Sequence, residues 1–454
     1  MSTDLPPDSV DVTDREPPIE AIDVVVVGAT LTGLTAARDL ARRGYRVTVI
    51  DQADAAGGSA CSHELGDATV SAGPHGAVDA DGVIAELAAE LGLALQSRSG
   101  ARDAFAQRDR IVPIPANTVL GVPGTPLAED VIAVLGWSGA LRAYLDRLRP
   151  VLKIGKYGSL GRLVRSRMGR AVAERMLAPV TRARFGSEAE QLQVADTVPQ
   201  LNNAITKAGS LSGGVAAVVA EHAADASLSE KDVVGGMEAL AAALLADALE
   251  YHARLRLQTA VEAAVRDDEG LLLTMTGGEH LRTQALIYAD SGMQAADAVA
   301  LRVPTGALAG AERFGTVFAA GADAAPQVTH VTDLGAIFPH RQPGEDTILL
   351  VGCSDLEDMP DDACVSLAEE AAERIMRRPL PTTAAAVLRI SQPQPVPPAG
   401  GGIRVIPTAR DLATELAAAR RTASAVQRAD FAVPGRAWSD DINDDAHEQG
   451  EEPA

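Results

Sequence analysis

Six residues, Gly28-Ala29-Thr30-Leu31-Thr32-Gly33, followed 23 positions after Gly28 by Asp51, have the types and spacing to hold a diphosphate. A glycine turn that opens a helix presents unpaired N–H groups and a partial positive charge, and the glycines let an anion approach the main chain. The usual fingerprint is Gly-x-Gly-x-x-Gly. Gly28 and Gly33 supply its first and third glycines. Thr30 stands at the middle position, where a β-branched side chain meets the pyrophosphate and its hydroxyl can donate to phosphate. Asp51 is placed where a carboxylate can accept from ribose hydroxyls. A second glycine pair, Gly57-Gly58-Ser59, follows. Read alone, these residues leave open an NAD-type domain, an FAD site or a nucleotide fold that has lost its ligand.

The surrounding pattern supplies the elements that must position them. Asp23-Val24-Val25-Val26-Val27 is a β-branched apolar run, as expected of a buried parallel strand. A helix is expected from about Leu31 to Arg43, closed by Gly44, and a second strand from Tyr45 to Ile50 that ends at Asp51. Helices are expected over 82–92, most of 128–178, 236–250 and 409–427. Strands are expected at 253–257, 271–276, 285–290 and 347–351. The stretches 111–126 and 391–401 are Pro-rich and read as loop with short strands and as linker.

The chain has 454 residues, 46% apolar and 22% charged, which is globular composition. No apolar run reaches the roughly 18–20 residues of a membrane span. Three cysteines without a Cys-x-x-Cys pair fit a reducing cytoplasm, and the eight histidines show no metal-ligand spacing. The net charge of −22 argues against a nucleic-acid partner, but it is unevenly spread. Residues 1–23 and 439–454 carry seven acids each against a single base, and read as disordered tails. Arg142 to Arg184 carries twelve Lys or Arg and two acids. That surplus suits either a solvated helix surface or a local anionic partner.

Beyond the first glycine turn, the order of segments resembles FAD proteins of the amine-oxidase type, and within them the oxygen-dependent coproporphyrinogen III and protoporphyrinogen oxidases. Asp51 through Gly57-Gly58 is similar to the acid and Arg-x-Gly-Gly element of that family, with Ala55 where Arg is usual. Gly73-Pro74-His75, Glu90-Leu91-Gly92-Leu93, Pro113-Ile114-Pro115, Pro199-Gln200-Leu201, Gly209-Ser210-Leu211 and Gly235-Gly236-Met237 match family segments in order. Thr259-Ala260-Val261 resembles the strand whose Val meets adenine. Two departures stand out. Thr181-Arg182-Ala183-Arg184-Phe185-Gly186 replaces a glycine-rich active-site loop, and the final strand and Ala-Gly turn are shortened or missing.

The resemblance implies an α/β two-domain FAD-binding fold: a Rossmann-like doubly wound domain plus a mixed-sheet substrate domain with a helical insert. The FAD-binding domain is expected over 21–95, 228–298 and a shortened 396–430, and the substrate domain over 96–227 and 299–395. Acidic tails at 1–20 and 431–454 complete the division. The cofactor implied is FAD, held by Gly28, Ala29, Thr30, Gly33, Asp51, Gly57, Gly58, Ser59, Gly73, Pro74, His75 and Val261. The reaction implied is dehydrogenation of coproporphyrinogen III with oxygen as acceptor, in haem biosynthesis. Arg182 and Arg184 are the expected partners of substrate propionates, and His75 is expected to be structural. Lys153, Lys156, Arg162 and Arg165 are expected to steer substrate or touch an anionic membrane surface. The alternatives are a flavin-free relative that binds a tetrapyrrole or a partner, and an FAD oxidase of an amine or polyene.

Overall fold

A computed structural model describes residues 21–107, 109–149, 158–224, 229–289, 297–310, 312–319, 328–354, 356–390, 402–407, 409 and 411–428. The two acidic tails and the Pro-rich stretch 391–401 fall outside these. The opening crossover forms as the pattern predicts. Strand β1 (Ala21–Val27) leads through the glycine turn into helix α1 (Leu31–Arg42), and strand β2 (Val47–Ile50) returns parallel to β1 with Val24 opposite Val47. On its other side β1 pairs in parallel with His280–Tyr288. The valines of β1 are buried on both faces, which explains why they run consecutively rather than alternating.

Helix α1 is buried over most of its length and packs between the helices Met237–Glu250 and Leu412–Ser424. Its small residues Ala36 and Ala37 allow that close approach. The strand His280–Tyr288 has two partners on one edge. Its first half pairs antiparallel with Gly270–Met275, and its second half pairs in parallel with Ile403–Val405. The final strand is therefore present but only three residues long.

A second seven-stranded sheet runs in the order Ala384–Leu388, Ala298–Pro304, Asp346–Cys353, Val328–Asp333, Thr316–Ala319, Ala104–Ala106, Ile111–Pro113. All its pairings are antiparallel except that of Thr316–Ala319 with Ala104–Ala106. Helices between Glu129 and Ala224 cover one end of it around the buried Leu160, Leu163, Val164, Met168 and Val172. A small sheet of Ala77–Val78, Glu230–Val233 and Leu95–Ser97 completes the region where chain segments cross between the two large sheets. Among the described residues, no helix is long and apolar enough to cross a membrane.

Candidate active site

The residues expected to hold a dinucleotide form a continuous line of main-chain contacts. At one end, Thr259 N–H donates to the Asp51 carbonyl at 2.9 Å, which draws the segment before Val261 onto the end of β2. The buried Asp51 carboxylate accepts from Ala29 N at 2.6 Å and from Ala53 N at 2.8 Å. Gly57 N donates to the Ala29 carbonyl at 2.7 Å, so the second glycine pair lies alongside the turn with Gly57 opposite Thr30. Gly73 N then donates to the Ser59 carbonyl at 3.1 Å. This places Gly73-Pro74-His75, with its cis Gly73–Pro74 bond, at the far end of the line.

Thr30 is the N-cap of α1. Its hydroxyl accepts from Gly33 N at 3.2 Å and donates to the Ala289 carbonyl at 3.3 Å. Its methyl faces Gly58, where a Cβ would lie 3.0 Å from Thr30 Cγ2. Gly33 admits no side chain, because a Cβ there would fall on the Gly28 carbonyl oxygen. This is the close packing of helix against turn that the third glycine of the fingerprint provides. The frame fits an adenine dinucleotide: a strand, a tight turn, a helix start and an acid at the end of β2. Two donors of the turn, Ala29 N–H and Gly33 N–H, are satisfied by Asp51 and Thr30.

Where the Met237–Glu250 helix meets the turn Pro339–Arg341 lies a group of buried charges that sequence reasoning missed. Arg341 and Glu238 form a buried ion pair at 2.8 Å, and Ser71 Oγ donates to Glu238 at 3.1 Å. Gly236, the N-cap of the Met237–Glu250 helix, lies directly beneath the Arg341 guanidinium, and a Cβ there would overlap Nη1. Gly236 is thus explained by a side chain about a hundred positions downstream, and Gly235 by its own φ of 92°. His340 Nε2 meets Asp232 at 3.2 Å, and burial pushes the Asp232 carboxyl up to about 6 despite Arg341 and His340.

His75 and His330 face this region. Burial, with Arg341 and His330 adding to it, lowers His75 to about 3, and its Nε2 is buried without a partner. Burial and the neighbouring Arg184 lower His330 to about 4. The His330 ring lies over the backbone of Gly352, and its centroid is 6.3 Å from that of Phe318. Both imidazoles are neutral at physiological pH. Phe318 and Arg184 also line a cleft of about 490 Å³ walled by Val112, Ile114, Leu120 and Val180, with Arg102, Asp103 and Asp130 also on its lining.

The two candidate arginines separate. Thr181 to Phe185 is helical, part of Ala178–Phe185, rather than a loop. Replacing glycines by Thr, Arg and Ala removes the conformational freedom that favours a loop there. Residues two positions apart on a helix do not face the same way. Arg182 turns outward to Glu188 at 2.7 Å, whereas Arg184 reaches the cleft and lies 3.7 Å from Glu230. Of the surface cations, Arg165 is held by Glu174 and Glu190, and Lys153 and Lys156 fall outside the described residues.

This architecture, a dinucleotide crossover joined to a mixed sheet with a helical insert, is that of two-domain flavoproteins. The flavin-containing amine oxidoreductase family model matches residues 31–338, more than half of the chain, and the chain belongs to that family. Its members are FAD-binding flavoproteins, and FAD is the cofactor of this class. The chain is 28% identical over 183 residues to a coproporphyrinogen III oxidase of Propionibacterium freudenreichii subsp. freudenreichii, a match covering 40% of this chain and 35% of that protein. It is 25% identical over 198 residues to a coproporphyrinogen III oxidase of Staphylococcus aureus, covering 42% of each. The matched region thus spans well under half the length of these relatives. A solved structure assigned as a protoporphyrinogen oxidase of Exiguobacterium sp. 255-15 superposes with a TM-score of 0.71 at 19% identity, covering 89% of this chain and 98% of the other.

Proposed function

We propose that the chain is an FAD-dependent oxidase that dehydrogenates a porphyrinogen, with coproporphyrinogen III as substrate. The observation that carries this reading is the cleft at Arg184. Val112, Ile114, Leu120, Val180 and Phe318 give it apolar walls, Arg184 and Arg102 reach it beside Asp103 and Asp130, and Arg184 lies near enough to His330 to lower its pKa, as His330 does that of His75. The names of the relatives support the substrate class.

The residues divide the work as follows. The apolar walls take the pyrrole rings and exclude water. Arg184 pairs with a propionate, since a carboxylate removed from water needs a cationic partner. Gly28, Ala29, Thr30, Gly33, Gly57, Gly58 and Ser59 hold the diphosphate, Asp51 and Val261 the adenosine end, and Gly73, Pro74 and His75 the opposite end. FAD supplies a hydride acceptor that oxygen regenerates. His75 donates from its other ring nitrogen to Ala72, which leaves Nε2 as a bare acceptor. It can take a hydrogen bond there without adding a positive charge beside Arg341.

An absorption spectrum of the purified protein, followed by peroxide release with coproporphyrinogen III or putrescine, tests the reading. Oxidised-flavin bands and peroxide with the porphyrinogen alone are expected. Peroxide with putrescine alone would reassign the substrate to an amine. A second reading, a flavin-free relative that binds a tetrapyrrole, is favoured by the self-satisfied turn at Thr30 and Asp51. A colourless protein that still binds coproporphyrin would establish it.

A further inference from the structure

Glu230, at the head of the strand Glu230–Val233, meets two arginines and holds them unequally. Arg98 is tied to it twice: its N–H donates to the Glu230 carbonyl at 2.8 Å, and its guanidinium donates to the carboxylate at 2.8 Å. Arg184 stands 3.7 Å from the other carboxylate oxygen, beyond hydrogen-bond reach, and its side chain is 44% exposed. Burial works to raise the Glu230 carboxyl, but Arg184 and Arg98 hold it below the usual carboxylate range. Arg184 therefore feels Glu230 through its charge rather than through a shared proton.

The other charges at the cleft are committed. Arg102 is paired with Glu312, and Asp103 with the second arm of the Arg98 guanidinium and with Thr316 N–H at 2.9 Å. Asp130 accepts from Val131 N at 2.8 Å in the first turn of a helix, where its charge is favoured. Departure of Arg184 costs this network little, because Glu230 keeps Arg98 and is not left as a buried charge without a cation. What Arg184 gains by leaving depends on the ligand. A carboxylate offers it the charge-assisted bond that Glu230, at 3.7 Å, does not. A neutral ring offers none, and a cation would be repelled by Arg184.

We propose that Glu230 is a specificity-determining residue, which holds Arg184 as an exchangeable cation that a ligand carboxylate draws away and a neutral or cationic ligand does not. This rests on the reading of the cleft as a tetrapyrrole site and names what sets its selectivity. Glu230 competes with the ligand for Arg184 and repels the incoming carboxylate, so removing its charge strengthens binding of acids alone.

The full chain is titrated with coproporphyrin III and with its neutral tetramethyl ester, followed by porphyrin fluorescence. The parent should favour the acid. Glu230→Gln should stay folded, since Arg98 keeps Asp103, and should bind the acid about tenfold more tightly and the ester within about twofold of the parent. Glu230→Asp keeps the charge and should match the parent. In an Arg184→Ala background Glu230→Gln should gain nothing, because the two residues act through one ion pair. Unchanged or weaker acid binding by Glu230→Gln overturns the proposal, as does equal tightening for the ester or a gain that survives Arg184→Ala. Equal affinity of the parent for acid and ester overturns it without any variant. In all these cases coproporphyrin still binds and the tetrapyrrole reading stands. Failure of every protein to bind either porphyrin overturns both.

Discussion

The hydroxyl of Thr30 occupies the N–H of Gly33, 3.2 Å away, at the helix start where a diphosphate would be received. A residue that breaks the glycine fingerprint thereby satisfies the donor that the fingerprint leaves available. Replacing it with glycine separates the two effects. Thr30→Gly should cost about 0.5 kcal/mol of stability through loss of the cap. It should tighten FAD binding about tenfold by freeing a donor for a charged acceptor. Titration of flavin fluorescence measures the second effect, and unchanged or weaker binding would show that the cap does not compete.

Gly33→Ala acts in the opposite direction. The added methyl falls on the Gly28 carbonyl, so helix and turn must part. A loss of stability of about 2 kcal/mol or more is expected, together with loss of bound flavin after gel filtration. Flavin retained at full occupancy would place the diphosphate elsewhere.

Arg184 and Arg182 lie on one helix, yet only Arg184 lines the cleft. Arg184→Ala should raise KM for coproporphyrinogen about tenfold to a hundredfold, the worth of one charge-assisted hydrogen bond. Arg182→Ala should leave it within about twofold, since its partner is the exposed Glu188. Equal effects of the two substitutions would remove the cleft from substrate binding.

Arg341→Gln leaves Glu238 buried without its cation and should cost about 3–5 kcal/mol in urea denaturation. The double variant Arg341→Met/Glu238→Leu should recover part of that loss. A single variant within about 1 kcal/mol of the parent would mean that the pair is hydrated in solution.

Stability should fall with acid in a window set by two histidines. His75 and His330 are lowered to about 3 and about 4. Below their ordinary value the unfolded chain takes up protons that the folded chain refuses. Their contribution is complete above about pH 6.5 and is lost as pH falls toward 4. Asp232, raised to about 6, works against this: its contribution is complete below its ordinary value and declines as pH rises to about 6. Two groups outweigh one, so the net slope is positive. His75→Gln should flatten it and Asp232→Asn should steepen it, as read from melting temperatures between pH 4 and 7.

The crossover and its acid were legible because their signals are local: a valine run, two glycines at fixed spacing and a carboxylate at the next strand end. The Thr30 cap was legible in principle, since a threonine ahead of an apolar helix is a preferred N-cap. The helix Ala178–Phe185 departs from the loop that the family pattern implies, because Thr, Arg and Ala favour helix where glycine does not. The pairing of Arg341 with Glu238, the position of His330 over Gly352 and the division between Arg182 and Arg184 were beyond reach. Each depends on segments far apart in the chain, and no periodicity records which of many arginines meets which glycine.

The Arg341 guanidinium seated over Gly236 has a consequence for how the molecule can move. It joins the two sheet systems at a point where sliding apart would strand opposite charges away from water. That junction therefore behaves as a fixed gauge, and breathing that admits a bulky ring system must come from the helical insert, whose half-exposed Arg184 lies 3.7 Å from Glu230 and can part from it into water.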